Sequence, residues 1–262
     1  MAHSVNRFRV LVFGLVLCIS HSVLLGQVPT TLIVRAKAMD GKFIGSSIGG
    51  ALILVKDAYS GEVLAKGLTE GSTGNTRLIM FTPHARGQSI VDEATAKFVA
   101  QLNIDKPLFV QVDVMSPYAQ RQATVLASTQ LWILPGKHID GDGLIIEIPG
   151  FIINVLHPTT HRYISLNDIK DKQTEIKANV VMMCGCVIEP GSSVWDGNKM
   201  EVEATIYLKG KPVGIVMLKN IEMNIFQGYY NFREIGNYEV IVSAFDRVSK
   251  NTGVDKVQFV VE

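Results

Sequence analysis

The sequence predicts an all-β protein built of two antiparallel β-sandwich domains that follow an N-terminal signal peptide. From residue 31 onward, short apolar runs alternate with Gly, Asp, Asn and Ser at the spacing typical of antiparallel strands. No stretch after the leader has the long 3.6-residue period of a helix, so we expect less than about 15% helix. The 262 residues, 47% of them apolar, are enough for two hydrophobic cores of ordinary size.

Residues 1–26 have the features of a secretory signal peptide. Arg7 and Arg9 form its charged start, and residues 10–19 are an apolar run too short for a comfortable membrane span. Without this segment, 23 basic and 24 acidic side chains remain, and this balance predicts no binding to nucleic acid. We therefore expect a periplasmic or secreted protein whose mature chain has no membrane span, in a compartment that permits disulfides.

The first domain is expected over residues 27–156. Residues 51–57 and 63–68 are predicted strands joined by a turn, and their letters, GALILVKD followed by SGEVLA, resemble transthyretin-like domains of the carboxypeptidase regulatory type. The resemblance spans residues 50–65. It implies a small sandwich that serves as an accessory or binding module, with no catalytic residues to carry over.

The rest of the first domain is predicted to hold a long loop over residues 70–96 and four more strands. These strands are expected at residues 96–102, 108–115, 122–134 and 144–155. The letters DGDG at residues 140–143 lie between apolar runs, which predicts a hairpin turn. Asp140, Asp142 and Glu147 could offer carboxylates to calcium, but the spacing is not that of an EF-hand and the hairpin explains the same letters.

Residues 157–166 are predicted to form a linker between the two domains. Pro158 and several polar residues interrupt the strand pattern there, as at many domain boundaries. His157 and His161 lie four residues apart, a spacing that suits a metal ion only if the segment is helical. We interpret them as solvated side chains of an extended linker.

The second domain is expected over residues 167–262. Its end, GNYEVIVSAFD followed by NTG and a closing strand, resembles the last hairpin of bacterial extracellular immunoglobulin-like domains. The resemblance implies that Tyr238 forms a tyrosine corner, with a buried ring and a hydroxyl that bonds back to the main chain. It concerns the fold alone, since such domains have many unrelated functions.

One pattern outside the second domain matches a catalytic motif. The letters GSSIG at residues 45–49 fit the G-x-S-x-G nucleophile elbow with Ser47 as the nucleophile. An elbow needs a helix after the serine, whereas the sequence continues as a strand. We therefore interpret these residues as a turn, for which glycine and serine are ordinary materials.

The stretch VVMMCGCVIEPG at residues 180–191 holds both cysteines that remain after the leader. A strand over residues 176–186 would place one alternating set on one face: Ile176, Ala178, Val180, Met182, Cys184 and Cys186. Met183 would lie on the opposite face, which is also apolar. The simplest interpretation is a buried strand in which methionine fills gaps and cysteine acts as a small hydrophobe.

Two alternatives remain open for these cysteines, because free thiols are unusual in an exported protein. A disulfide between Cys184 and Cys186 is awkward in an extended strand, where their Cβ atoms lie about 6.5–7 Å apart and a bridge needs about 3.5–4.5 Å. Gly185 could supply the necessary bend. Alternatively, Met182, Met183, Cys184 and Cys186 form a soft donor set that suits copper(I).

Two hypotheses for the function follow. The first is a non-enzymatic, exported binding or accessory protein whose partner is another protein or a cell-surface component. The second is a copper(I)-binding or thiol-redox protein that acts through residues 182–186. The sequence offers no set of acid, base and nucleophile, so we predict no enzyme.

Overall fold

The computed structural model describes residues 26–170 and 172–262 and confirms an all-β fold. Strands contain 55% of the chain and helices 8%, in several antiparallel sheets. Residues 1–25, which carry nearly all of the predicted signal peptide, lie outside the described residues. Within the described part, no helix is long and apolar enough to cross a membrane, and the α-helix α1 (Leu166–Ile169) has one turn.

The first seven strands form two sheets. They are β1 (Val28–Ala38), β2 (Leu52–Asp57), β3 (Val63–Leu68), β4 (Phe98–Ile104), β5 (Leu108–Ser116), β6 (Val125–Ile133) and β7 (Ile139–Ile148). One sheet has the order β3-β2-β5-β6 and the other β4-β1-β7. Alternate residues of the central strands are buried between the sheets, for example Ile53 and Val55 of β2 and Val110, Val112 and Val114 of β5. The alternation read from the sequence thus marks the face that each strand buries.

Nine further strands form two more sheets. They are β8 (Phe151–His157), β9 (Tyr163–Ile164), β10 (Thr174–Met182), β11 (Met200–Leu208), β12 (Lys211–Met217), β13 (Lys219–Glu222), β14 (Ile225–Tyr230), β15 (Gly236–Asp246) and β16 (Thr252–Val261). The sheet orders are β13-β14-β10-β8 and β12-β11-β15-β16-β9. The predicted hairpin at the end of the chain is confirmed, because β15 and β16 pair in antiparallel fashion along their length.

Tyr238 has the geometry that the sequence predicted for it. Its ring is buried, and its hydroxyl donates a hydrogen bond of 3.1 Å to the carbonyl of Glu234. Phe232 meets the ring edge-on at a centroid distance of 4.9 Å, a favourable arrangement for two aromatic rings. This geometry can occur in any family, so it does not test the two family resemblances. Both stay predictions.

Strand β8 belongs to a sheet of the second half of the chain. It was expected to close the first domain, but it pairs with β10, and the backbone N–H of Val155 also donates to the Asp255 carboxylate of β16 at 2.8 Å. Residues 157–166, predicted as a linker, run beside β16, where the His161 N–H donates to the Gln258 carbonyl. Buried side chains of both halves form one continuous hydrophobic cluster. The division into two domains stays a prediction.

The hairpin predicted at residues 140–143 is wrong. These residues lie inside β7 as an irregularity of its parallel pairing with β1: Ile139 pairs with Leu32 and Leu144 with Val34, and residues 140–143 have no partner in β1. The buried guanidinium of Arg35 donates to the carbonyls of Asp142 (3.1 Å), Gly141 (3.3 Å) and Ala96 (2.9 Å). A buried guanidinium must be hydrogen-bonded, and this glycine-containing segment presents carbonyls to it. The Asp142 carboxylate accepts hydrogen bonds from Ser89 and Ile90.

Asn251 joins three separate segments and gives a test of this packing. Its fully buried amide accepts from the Gly150 N–H at 2.6 Å and donates to the Met39 carbonyl at 2.9 Å. Asn251→Ala leaves both groups buried without a partner, so we expect a loss of about 2–3 kcal/mol in the free energy of unfolding. Denaturant titration measures it. Asn198→Ala, on the exposed surface, is the control and should change stability by less than about 0.5 kcal/mol.

Candidate functional site

The sulfur-containing stretch begins as a strand and ends as a tight turn. Ile176, Ala178, Val180 and Met182 of β10 are buried in alternation, as predicted. The strand was expected to continue to residue 186, and this part of the prediction is wrong. Gly185 N–H donates to the Met182 carbonyl at 2.7 Å, and Met182 N–H donates to the Cys186 carbonyl at 3.2 Å. This pattern is that of a type I turn followed by a G1 bulge.

Gly185 makes this turn possible. Its φ of +75° lies in the left-handed region, which costs a residue with a Cβ about 1–2 kcal/mol. A Cβ at this position would also lie 3.1 Å from Cδ1 of Ile48, so the turn is close to its neighbour. The glycine therefore supplies the bend that the sequence allowed for, and the chain reverses between the two cysteines.

The turn brings the two thiols together. Cys184 Sγ and Cys186 Sγ are 2.7 Å apart, against about 2.05 Å in a disulfide bond, and both cysteines are free. Cys184 is 0% exposed, whereas Cys186 is half-buried. The separation expected of an extended strand does not apply here, so a small movement of the side chains suffices to join the sulfurs.

A loop after β1 covers the buried sulfur. A Cβ on Gly41 would lie 3.4 Å from Cys184 Sγ, so the glycine lets the loop approach closely. The next residue, Lys42, acts to lower the pKa of both cysteines through its backbone N–H and its charge. The indole Nε1 of Trp195 donates to the Asp40 carbonyl at 2.8 Å and holds the loop in position. Sequence reasoning missed Lys42, because no local pattern connects it to cysteines more than 140 residues away.

The environment of the pair makes its two thiols unequal. The hydrogen bond between the two thiols is the largest influence on Cys184 and lowers its pKa to about 7, although burial acts in the opposite direction. The backbone N–H groups of Lys42 and Cys186 and the Lys42 ammonium lower it further. The pKa of Cys186 is raised, because its proton is shared with the Cys184 sulfur and because it is partly buried. Cys184 is thus the first of the two to ionise.

The two methionines point to neighbouring packing sites. Met182 lines a cavity of about 160 Å³ together with Phe151 and Trp195, and neither cysteine lines this cavity. The Cε atom of Met183 packs against Gly150. Within residues 26–170 and 172–262, no group of three or more His, Cys, Asp or Glu side chains could hold a metal ion. The predicted copper(I) site of Met182, Met183, Cys184 and Cys186 stays a prediction.

The other candidates from the sequence are engaged in structural contacts. Ser47 lies in a 3₁₀-helix of three residues, which continues into strand β2 as expected for a turn. His157 Nδ1 lies 2.7 Å from the Glu175 carbonyl. His161 adopts a φ of +56° in the turn that follows Pro158. These contacts are those of ordinary turns and strand ends.

An exposed row of aromatic rings lies on the first sheet, and sequence reasoning missed it. Tyr59 and Phe109 have ring centroids 5.8 Å apart, and Phe109 and Trp132 have centroids 4.9 Å apart. Tyr59 is 79% exposed and Trp132 is 55% exposed. The signal was present as three aromatic residues at predicted strand ends, but the pairing of β5 with β6 was needed to align them. Exposed aromatic groups of this kind are typical of contact surfaces.

Comparisons with known proteins leave the family open. The sequence matches no model of a known protein family, and a search of curated proteins found no significant similarity.

The turn can be tested by adding a methyl group at Gly185. In Gly185→Ala we expect a loss of about 1–2 kcal/mol in the free energy of unfolding, because alanine is strained at the left-handed φ of this position. We also expect a smaller oxidised fraction of the cysteine pair at a fixed glutathione ratio, because the strained turn no longer holds the sulfurs together. Gly191→Ala is the matched control, since Gly191 has a similar φ of +74° with no atom near its Cβ position. It should lose similar stability and keep the parent's oxidised fraction. Equal oxidised fractions in both variants would contradict the role of Gly185.

Proposed function

We propose that this chain is an exported, non-enzymatic binding or accessory protein whose Cys184 and Cys186 cycle between a dithiol and a disulfide. The proposal rests on the 2.7 Å separation of the two sulfurs on the turn at Gly185. Export rests on the charged and apolar pattern of residues 1–26. An extracytoplasmic compartment supplies the oxidising conditions under which such a pair forms a disulfide.

A disulfide across one intervening residue differs from an ordinary structural one. The closed loop has only three residues, so it removes little entropy from the unfolded chain and contributes about 1–2 kcal/mol to stability. A short, constrained ring is also more easily reduced than a relaxed disulfide. Both properties suit a disulfide that is repeatedly formed and reduced better than one that stabilises the fold.

The copper(I) alternative has less support from the geometry. Met182 lines a cavity that neither cysteine lines, and Met183 packs against Gly150. Of the four predicted sulfur ligands, the turn therefore brings only Cys184 and Cys186 together. Two thiols are sufficient for a disulfide, whereas the predicted copper(I) site also needs the methionines.

The disulfide can be tested by measuring stability with and without a reductant. The free energy of unfolding of the parent protein should change when the reductant is added, because reduction removes a loop constraint worth about 1–2 kcal/mol and releases the strain of the short ring. Cys184→Ser/Cys186→Ser is the control and should not respond to the reductant.

Two other outcomes would count against the dithiol–disulfide couple. If the parent contains two free thiols after mild oxidation and the serine variant is destabilised equally under both conditions, the cysteines are inert core residues. If the parent instead binds stoichiometric copper(I) and the variant does not, the cysteines form a metal site and the dithiol–disulfide couple is rejected.

A binding role toward another protein or a cell-surface component is supported by the exposed aromatic row. Trp132→Ala should weaken binding of the purified protein to cell-envelope material about tenfold or more, because exposed aromatic side chains dominate contact surfaces. Leu126→Ala on the same strand is the control, since Leu126 is 61% exposed but lies outside the row. Equal binding of both variants and the parent would rule out this surface.

A further inference from the structure

The two sulfurs of the pair differ in what can reach them. Thiol–disulfide exchange requires a thiolate to approach a sulfur atom directly, so burial decides which sulfur reacts with a molecule from solution. Cys184 is 0% exposed and lies beneath the loop that contains Gly41. Cys186 is half-buried and follows the exposed Gly185. An incoming thiolate therefore meets Cys186 Sγ first.

The two sulfurs also differ in how well they hold a negative charge. In the mixed disulfide Cys186 carries no proton, so the groups left to stabilise a thiolate on Cys184, against the opposing effect of burial, are the N–H groups of Lys42 and Cys186 and the Lys42 ammonium. The loop packed against the turn carries Asp40 and Lys42 as its charged groups, and the 3₁₀-helix at Ser46–Ile48 carries none. A sulfur that is stabilised as a thiolate leaves readily when a disulfide is attacked. Cys184 is thus suited to leave and Cys186 to be attacked.

Resting on the proposed dithiol–disulfide couple, we propose that the pair exchanges with an external thiol or disulfide through Cys186 alone, and that Cys184 is its internal leaving group. In reduction, an external thiolate attacks Cys186 Sγ, the bond to Cys184 breaks, and the electron pair leaves on Cys184. A second external thiolate then attacks the external sulfur of the mixed disulfide. It forms the external disulfide and releases Cys186, which takes a proton from water.

Oxidation is the reverse sequence. Cys186 passes its proton to the Cys184 thiolate, attacks one sulfur of an external disulfide and releases one external thiolate. Cys184 then loses this proton to water, attacks Cys186 Sγ from the interior and releases the second external thiolate. Oxidation thus converts one protein dithiol and one external disulfide into one protein disulfide and two external thiols, and reduction converts them back. The oxidant and the reductant are thus the same couple, a thiol and its disulfide.

The test uses the mature protein with one cysteine replaced at a time. Cys184→Ser keeps the half-buried thiol and should form a mixed disulfide with oxidised glutathione, seen as an adduct by mass spectrometry. Cys186→Ser keeps the buried thiol and should react at least tenfold more slowly. In denaturant the two variants should react at the same rate, which shows that the native difference comes from the fold. The alanine variants Cys184→Ala and Cys186→Ala repeat the comparison in case a serine perturbs the turn.

The outcomes separate this inference from the proposed function. If the parent forms no disulfide, the dithiol–disulfide couple itself fails. If the parent forms one but Cys186→Ser reacts with oxidised glutathione as fast as Cys184→Ser in the native state, only the assignment of Cys186 is overturned. Insulin, as a protein disulfide, is tested in parallel. Reaction of Cys184→Ser with glutathione alone identifies a small thiol as the external partner, and reaction with both extends the partners to proteins.

Discussion

The reversal of the chain at Gly185 is the constraint on which the candidate site depends. Had β10 continued in the extended conformation, Cys184 and Cys186 would face the same side with their sulfurs too far apart to react. The left-handed glycine instead closes a turn of five residues and leaves the sulfurs 2.7 Å apart. The chemistry of the pair therefore follows from one backbone conformation that only glycine adopts readily.

Local alternation predicted the strand leading into the turn but not its end. Ile176 to Met182 follow the period of two, and the buried set matches the predicted face. After Met182, the residues Met183, Cys184 and Cys186 are all apolar, so hydrophobicity carries no signal for the change of direction. Gly185 was the one local indication that the strand ends here. The turn itself is defined by the two hydrogen bonds that close it, and these are known only from the structure.

Long-range contacts account for what the sequence could not predict elsewhere. The DGDG letters at residues 140–143 predict a hairpin when only neighbours in sequence are considered. The buried guanidinium of Arg35, more than 100 residues away, donates hydrogen bonds to two carbonyls of this segment, which lies inside β7. In the same way, Lys42 meets the cysteines through the packing of a loop from the start of the chain. Sequence patterns describe the strands well, and the contacts between distant segments decide what the connections become.

Burial and ionisation oppose each other at Cys184, and the balance explains why one residue serves both the core and a site. As a fully buried small side chain it fills space like any hydrophobe. Burial alone would keep its thiol neutral, but the Cys186 thiol and the main-chain N–H groups of the turn and loop lower its pKa to about 7. Stabilising the thiolate stabilises the reduced pair, and this makes the corresponding disulfide a better oxidant. The loop and the turn that hide Cys184 from solvent thus also supply the N–H groups that stabilise its thiolate.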